Sequence, residues 1–204
     1  MKIATLSAIA GLLAAIALPG FAIEPKASCQ ALESWAAGLQ QLPTDYDSFS
    51  QLSLVQRKAV YSRFSATERA SLWKRHWQEA LKQGSWSAEQ KALLDEAGRV
   101  MNADTFAALA PREGERYAAV RATVDALSVR LMKAFTRDEA TALFYRLGTP
   151  VATPEAGLAF RCYCNSGYDD CEPGFTCDPS GCQIRFFGCG MYYEEVCDGE
   201  CFLI

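Results

Sequence analysis

The C-terminal region, residues 162–201, has the sequence CYCNSGYDDCEPGFTCDPSGCQIRFFGCGMYYEEVCDGEC and holds eight of the nine cysteines of the 204-residue chain. Only Cys29 lies outside it. A segment of this size cannot be stabilised by apolar burial alone and usually needs disulfides, a metal or a partner. The sequence therefore predicts two unlike parts, an irregular α-helical bundle followed by a small disulfide-rich module.

The spacing of these cysteines favours disulfides over a metal site. The region contains no C-x2-C pair and no histidine, whereas structural zinc sites usually combine close cysteine pairs, often with histidine. We therefore expect four disulfides, no metal and no cofactor. Spacing leaves the pairing open, except that a direct bond across Cys162-Tyr163-Cys164 is disfavoured by geometry. The predicted disulfide cysteines are Cys162, Cys164, Cys171, Cys177, Cys182, Cys189, Cys197 and Cys201.

The start of the chain predicts an export signal over residues 1–22. Lys2 precedes an apolar run at residues 3–18, and Gly20 and Ala22 are small residues where a signal peptidase reads the chain. The run is short for a membrane span, so we expect cleavage after Ala22 and no stable membrane span afterwards, with an uncleaved anchor as the alternative. Export leads to an oxidising space, periplasmic or extracellular, in which disulfides persist.

Residues 23–147 read as a helical domain because a capping-box pattern recurs four times. In this pattern a Ser or Thr hydroxyl accepts from the backbone N–H three residues later, and a Glu or Gln there reaches back. The four boxes are Ser53–Gln56, Ser65–Glu68, Ser87–Gln90 and Thr136–Glu139. Together with apolar periodicity, they predict helices over residues 27–41, 54–64, 66–83, 88–98, 112–134 and 137–147.

Three side chains of this region carry further predictions. Trp73 and Trp77 lie four residues apart on one helix face and are expected in the core. His76, the one histidine, has no second histidine or cysteine beside it and is expected at the surface. Cys29 is the odd cysteine; an unpaired thiol is favoured, and a link to another chain or to a tail cysteine is the alternative.

Residues 148–159 are predicted to be a linker, because they are small, spaced by prolines and poor in large apolar side chains. One interpretation is a passive spacer between the helical domain and a module formed by residues 160–204. The other is a protease-accessible segment whose cleavage releases that module as a separate polypeptide.

The module is acidic. Residues 160–204 contain two arginines against eight Asp and Glu, whereas residues 23–159 are nearly balanced, with 17 Lys and Arg against 16 Asp and Glu. Binding to nucleic acid or to anionic lipid by simple electrostatics needs a basic surface. We therefore expect no nucleic-acid partner.

A β-hairpin is predicted in the second half of the module. The runs at 183–187 and 191–196 are β-prone, and Gly188-Cys189-Gly190 joins them. In so small a domain some aromatic rings should stay exposed, which makes them a candidate target-binding patch; the alternative is that they only shield the disulfides. The patch residues are Phe186, Phe187, Tyr192 and Tyr193.

The cysteine order C-x-C-x6-C-x5-C-x4-C-x5-G-C-G, over Cys162–Gly190, resembles the cysteine-rich bacteriocin fulvocin C and the longer fulvocin C-related bacterial proteins. The helical region, with Trp35 and Leu72-Trp73, also looks like the N-terminal part of the longer relatives. The final Cys197-x3-Cys201 is wider than the family's last pair. The resemblance implies an exported antimicrobial protein, with the tail as effector and the helical part as a pro-region, carrier or folding aid.

Two functions follow from these observations. The first is a secreted, bacteriocin-like antimicrobial protein whose disulfide-rich module binds a target on a competing cell. The alternative is a non-toxic secreted binding or inhibitor protein that recognises another extracellular protein. An enzyme is not expected, and no catalytic residue is assigned, because the chain has one histidine and lacks the Gly-x-Ser-x-Gly, His-Glu-x-x-His and phosphate-loop motifs.

Overall fold

Eight α-helices form the first described part of the chain, and four short β-strands follow near its C-terminal end. The computed structural model describes residues 29–149, 164–167, 171, 175–179 and 187–203. The predicted signal peptide and linker residues 150–159 lie outside these ranges. Within them, the predicted helical bundle followed by a disulfide-containing region with antiparallel strands is confirmed. No described helix has the length and apolarity required to cross a membrane.

The helices are α1 (Cys29–Gly38), α2 (Tyr46–Ser50), α3 (Leu54–Tyr61), α4 (Ala66–Gln83), α5 (Ala88–Val100), α6 (Ala103–Leu109), α7 (Gly114–Ala134) and α8 (Arg137–Ala140). A π-helical turn, Thr141–Tyr145, continues α8. All four predicted capping boxes form, with side-chain and backbone hydrogen bonds in both directions. The predicted bounds of α4 are correct, and the starts of α3, α5 and α8 follow their caps as predicted.

Two short helices, α2 and α6, were not predicted. Their caps are Asp45, which accepts from Ser48 N at 2.8 Å, and Asn102, which accepts from Thr105 N at 3.1 Å. Asp and Asn are strong N-caps, but neither helix has the Glu or Gln that completes a capping box. Tertiary burial stabilises such short helices more than local propensity does.

The strands form two antiparallel pairs. β1 (Phe175–Asp178) pairs with β4 (Glu200–Leu203), and β2 (Phe187–Cys189) pairs with β3 (Glu195–Val196). The second pair is the predicted hairpin, but Gly188 and Cys189 belong to its first strand rather than to its turn. The connection is instead Gly190–Glu194, called the tyrosine turn below, with a 3-10 helical turn over its middle residues.

The helices and the tyrosine turn share one hydrophobic core. Met191, Tyr192 and Tyr193 belong to the same cluster of buried residues as Trp73 and Trp77 of α4. The expectation that Trp73 and Trp77 are core residues is confirmed. Part of the acidic C-terminal region is therefore packed into the helical bundle.

The prediction that His76 lies at the surface is wrong, since only 7% of it is exposed. Its Nδ1 lies 3.0 Å from Tyr46 OH, and its Nε2 lies 2.9 Å from Ala142 O. Burial lowers the pKa of the imidazole to about 4, although the hydrogen bond to Ala142 opposes that shift. Both partners are distant in sequence, so no local pattern could indicate them.

Arg57 fixes the end of the helical part to α3. The buried guanidinium donates to Ser50 O at 2.5 Å, Leu147 O at 3.0 Å and Thr149 O at 2.8 Å. One guanidinium thus binds backbone carbonyls from two segments that are distant in sequence, residue 50 and residues 147–149. The first residues of the predicted linker are held at this point.

We predict that Gly188→Ala destabilises the protein by about 2 kcal/mol or more. Gly188 has φ +131°, and a Cβ there would lie 2.8 Å from Lys58 O of α3. Both the backbone and the neighbouring helix would have to shift. Gly38→Ala is the control: nothing lies within 4 Å of its Cβ, so it should be neutral or stabilising. Equal effects of the two changes on the free energy of unfolding would contradict the seating of β2 against α3.

Candidate functional site

Tyr192 and Tyr193 are buried inside the helical bundle, with 1% and 0% of their surface exposed. The Trp73 ring lies 5.8 Å from the Tyr192 ring and 5.7 Å from the Tyr193 ring, centroid to centroid, in edge-on contacts. Trp77 packs edge-on against Tyr192 at 5.9 Å, and Tyr61 against Tyr193 at 5.2 Å. Each such pair contributes about 0.5–1.5 kcal/mol beyond its buried area.

These positions correct the predicted aromatic patch. Tyr192 and Tyr193 cannot contact a target as exposed rings, because the helices already cover them. The small module does not leave these rings exposed, because its turn is buried in the core of the helical bundle. Phe187 lies in β2, and its side chain is outside the described set; Phe186 lies outside the described residues.

Hydrogen bonds hold the tyrosine turn in an unusual backbone conformation. Tyr192 and Tyr193 have φ of 61° and 59°, which costs on the order of 1–3 kcal/mol for each non-glycine residue. Tyr61 OH and Trp73 Nε1 both donate to Tyr192 O, at 3.1 and 3.2 Å. Leu147 N donates to Tyr193 OH at 3.2 Å. The turn is thus anchored by side chains and backbone of the helical region.

A disulfide between Cys189 and Cys197 joins the two sides of the tyrosine turn. Both cysteines are fully buried. Lys58 of α3, also buried, places its Nζ 3.4 Å from Cys189 Sγ and 5.7 Å from the centre of the Tyr193 ring. The buried ammonium group therefore lies between the disulfide and an aromatic face, which favours a cation.

A second disulfide, Cys164–Cys177, fastens residue 164 to β1, and Cys171 is also disulfide-bonded. The sulfur atoms of these three cysteines lie within 4.8 Å of one another, a spacing that could suit a metal. Their sulfurs are already in disulfides and are not thiolates, which a metal requires. Five of the eight predicted disulfide cysteines are thus confirmed. The bonding of Cys162, Cys182 and Cys201 lies outside what is described.

Glu194, the last residue of the tyrosine turn, is a buried carboxylate between two arginines. Arg69 Nη1 lies 3.2 Å from Glu194 Oε1, and Arg112 donates to Glu194 O. Burial raises the pKa of Glu194 to about 7, although Arg69 and Arg112 oppose the shift. Sequence could not identify this cluster, because 125 and 82 residues separate the arginines from Glu194.

Glu195 makes a separate contact with α7. Its Oε1 lies 2.5 Å from Arg121 Nη1, and Arg121 Nε also donates to Asp125 Oδ1 at 2.9 Å. Adjacent glutamates in the tail are therefore held by different elements of the bundle. Their carboxylates therefore face different cations, Arg69 for Glu194 and Arg121 for Glu195.

A cavity of about 550 Å³ lies between α7 and the tyrosine turn. Its volume falls in the range of about 300–1,000 Å³ that is usual for small-molecule sites. Its wall is mainly apolar, with charged side chains at its margins. The lining residues are Leu109, Arg121, Val124, Asp125, Ser128, Val129, Met132, Lys133, Tyr145, Met191, Tyr192, Glu194 and Glu195.

The Tyr192 hydroxyl is buried without a hydrogen-bond partner among the described residues. Burial raises the pKa of this phenol well above its ordinary value, and the nearby Ser128 side chain opposes the shift. The Ser128 hydroxyl donates to Val124 O at 2.8 Å. Both Tyr192 and Ser128 line the cavity, so its wall contains a protonated phenol with no acceptor among the described residues.

No protein-family model, curated protein or solved structure matches this chain. The resemblance of its cysteine order to the fulvocin C-related proteins therefore stays a prediction.

We predict opposite effects for the two neighbouring tyrosine hydroxyls. Tyr192→Phe removes an unsatisfied buried group and should leave the free energy of unfolding unchanged or raise it by about 1 kcal/mol. Tyr193→Phe leaves Leu147 N without its acceptor and should lower it by about 1–2 kcal/mol. Urea denaturation with the disulfides intact measures both. Equal destabilisation by the two changes would mean that the Tyr192 hydroxyl is bonded after all.

We predict that Glu194 makes stability fall as pH rises from about 4.5 to about 7. Its pKa is raised from 4.5 to about 7, so the folded protein binds more protons in this window and is favoured at its acidic end. Relative to Glu194→Gln, the wild type should lose at most about 1.4 kcal/mol per pH unit across the window. The lowered pKa of His76 makes stability rise with pH, the opposite of the effect of Glu194. Because His76 is present in both proteins, its contribution cancels in the comparison.

Denaturation of both proteins at several pH values measures this difference. If it stays constant from pH 4.5 to 7, folding does not raise the pKa of Glu194 and the prediction is wrong.

Proposed function

We propose that this protein is an exported binding protein that acts as an intact, disulfide-stapled chain. The observation that carries this proposal is the burial of Tyr192 and Tyr193 between the helices. The tyrosine turn is also part of the wall of the cavity, which both the helical bundle and the tail are needed to form. Recognition by a rigid, preformed site costs less ordering than recognition by a flexible one.

Release of the tail would be unfavourable in this arrangement. Full burial of a large apolar side chain contributes about 1.5–3 kcal/mol, and two tyrosines and Met191 would have to be withdrawn together. Withdrawal would also leave Trp73 and Tyr61 without their acceptor at Tyr192 O. A cut in the linker should therefore leave the two pieces associated.

A bacteriocin-like, antagonistic role is the second candidate. The order of the cysteines over Cys162–Gly190 favours it. In that role the partner is a target on a competing cell, and the active form retains the helices, because they bury the tyrosine turn. If the helical part were only a pro-region that is removed from the tail, the tail would lose the core that the two parts share, so this role is disfavoured.

We predict that cleavage within residues 150–159 does not separate the chain into free parts. A single site for a sequence-specific protease is placed there, and the cut protein is examined by size-exclusion chromatography under native conditions. Both fragments should elute together, and they should separate in denaturant without reductant, which shows that contacts and not disulfides join them. Tyr193→Ala, cut in the same way, should release its tail more readily.

Growth-inhibition assays on related strains then decide between the two roles. The uncut chain, the cut chain and a synthetic oxidised tail are compared at equal concentration. Inhibition by the intact forms favours the antagonistic role, and absence of inhibition by all three favours a non-toxic binding protein. A tail that elutes alone after cleavage and inhibits growth by itself would overturn the intact-chain proposal.

A further inference from the structure

We propose that the cavity along α7 binds a free acyl carboxylate, with its head group at Lys133 and a hydroxyl group of its chain at Tyr192. This inference deepens the proposed binding function, on which it rests, by naming a ligand class. Four features of the cavity support it: its shape, the apolar side chains at its rim, the distribution of charge and the unsatisfied hydroxyl of Tyr192.

The cavity is elongated. Its lining on α7 runs from Arg121 to Lys133, which corresponds to about 18 Å along the helix at 1.5 Å per residue. A site with this length and a volume of about 550 Å³ is narrow. An extended acyl chain fits such a shape better than a compact ring system does.

The rim carries exposed apolar side chains. Val129 and Met132 are 56% and 44% exposed, and they are two of the three large apolar residues that are exposed in the described part of the chain. Deeper in the cavity, Leu109 and Val124 are buried. A bound acyl chain would cover the two rim residues and remove their apolar surface from water.

The charges at the two ends of the cavity determine at which end the carboxylate of the ligand binds. At one end the cavity is lined by Arg121, which is already paired with both Asp125 and Glu195. At the other end Lys133 is exposed and makes no ion pair with any described residue. A carboxylate is attracted to Lys133 and repelled by the acidic end. An ester or a neutral alcohol carries no charge and would gain only a hydrogen bond from this lysine.

The Tyr192 hydroxyl supplies the second polar contact. It is buried, has no acceptor among the described residues and belongs to the cavity wall together with Ser128, which lies about 7.5 Å along α7 from Lys133. A phenol held in its protonated form donates a hydrogen bond, and an oxygen on the acyl chain would accept it. A plain hydrocarbon chain would leave this donor unsatisfied. The ligand that meets both polar groups is therefore a hydroxylated acyl carboxylate.

Isothermal titration calorimetry on the purified, uncut chain tests this inference. The probes are 3-hydroxydodecanoate, dodecanoate and the methyl ester of 3-hydroxydodecanoate, all below their aggregation concentrations. We expect one site per chain, with the hydroxylated acid bound about tenfold more tightly than either other probe. No saturable binding of any probe would overturn the inference. The co-elution of cut fragments would be unaffected, so the two proposals fail separately.

Three variants assign the contacts. Lys133→Gln should weaken binding of both acids by roughly tenfold and leave the ester unchanged. Lys91→Gln, a change at an exposed lysine outside the cavity wall, should have no effect. Tyr192→Phe should abolish the preference for the hydroxylated acid while dodecanoate binds as before. Equal affinities of the wild type for the two acids would contradict the role of Tyr192, and an inert Lys133→Gln would contradict the head-group position.

Discussion

The burial of Tyr192 and Tyr193 among the aromatic side chains of the helices is the interaction on which the rest of the structure depends. Both residues adopt a left-handed backbone conformation that non-glycine residues avoid. Edge-on contacts with Trp73 and Trp77, together with two donors to Tyr192 O, offset that cost. The strained turn is stable only because the helical bundle surrounds it.

The dependence runs in both directions. The Cys189–Cys197 disulfide closes a short loop around the turn, which restricts the unfolded tail and holds the two tyrosines ready for burial. The helical region in turn supplies Lys58 of α3, Arg69 of α4 and Arg112 of the α6–α7 connection, all of which contact the hairpin. A small module that lacks an interior of its own obtains one by inserting its turn into a neighbour.

The sequence predicts what is encoded locally. Capping boxes act over three residues, so the starts of α3, α4, α5 and α8 followed from them. The pairing of β1 with β4, the burial of His76 and the insertion of the tyrosines depend on contacts between distant segments. Trp73 and Trp77 were correctly placed in the core, yet nothing in their spacing indicated that residues about 120 positions later would pack on them.

The same contacts change the meaning of the tail's acidity. Counted along the sequence, eight carboxylates make residues 160–204 strongly negative. In the fold, Glu194 faces Arg69 and Glu195 faces Arg121, so part of this charge joins the tail to the bundle rather than repelling outside anions. Glu194 and Glu195 are thus paired within the molecule, whereas Lys133 at the far end of the cavity makes no ion pair with any described residue and dominates the field there. Net charge over a segment is therefore a poor guide to the charge that its binding site presents.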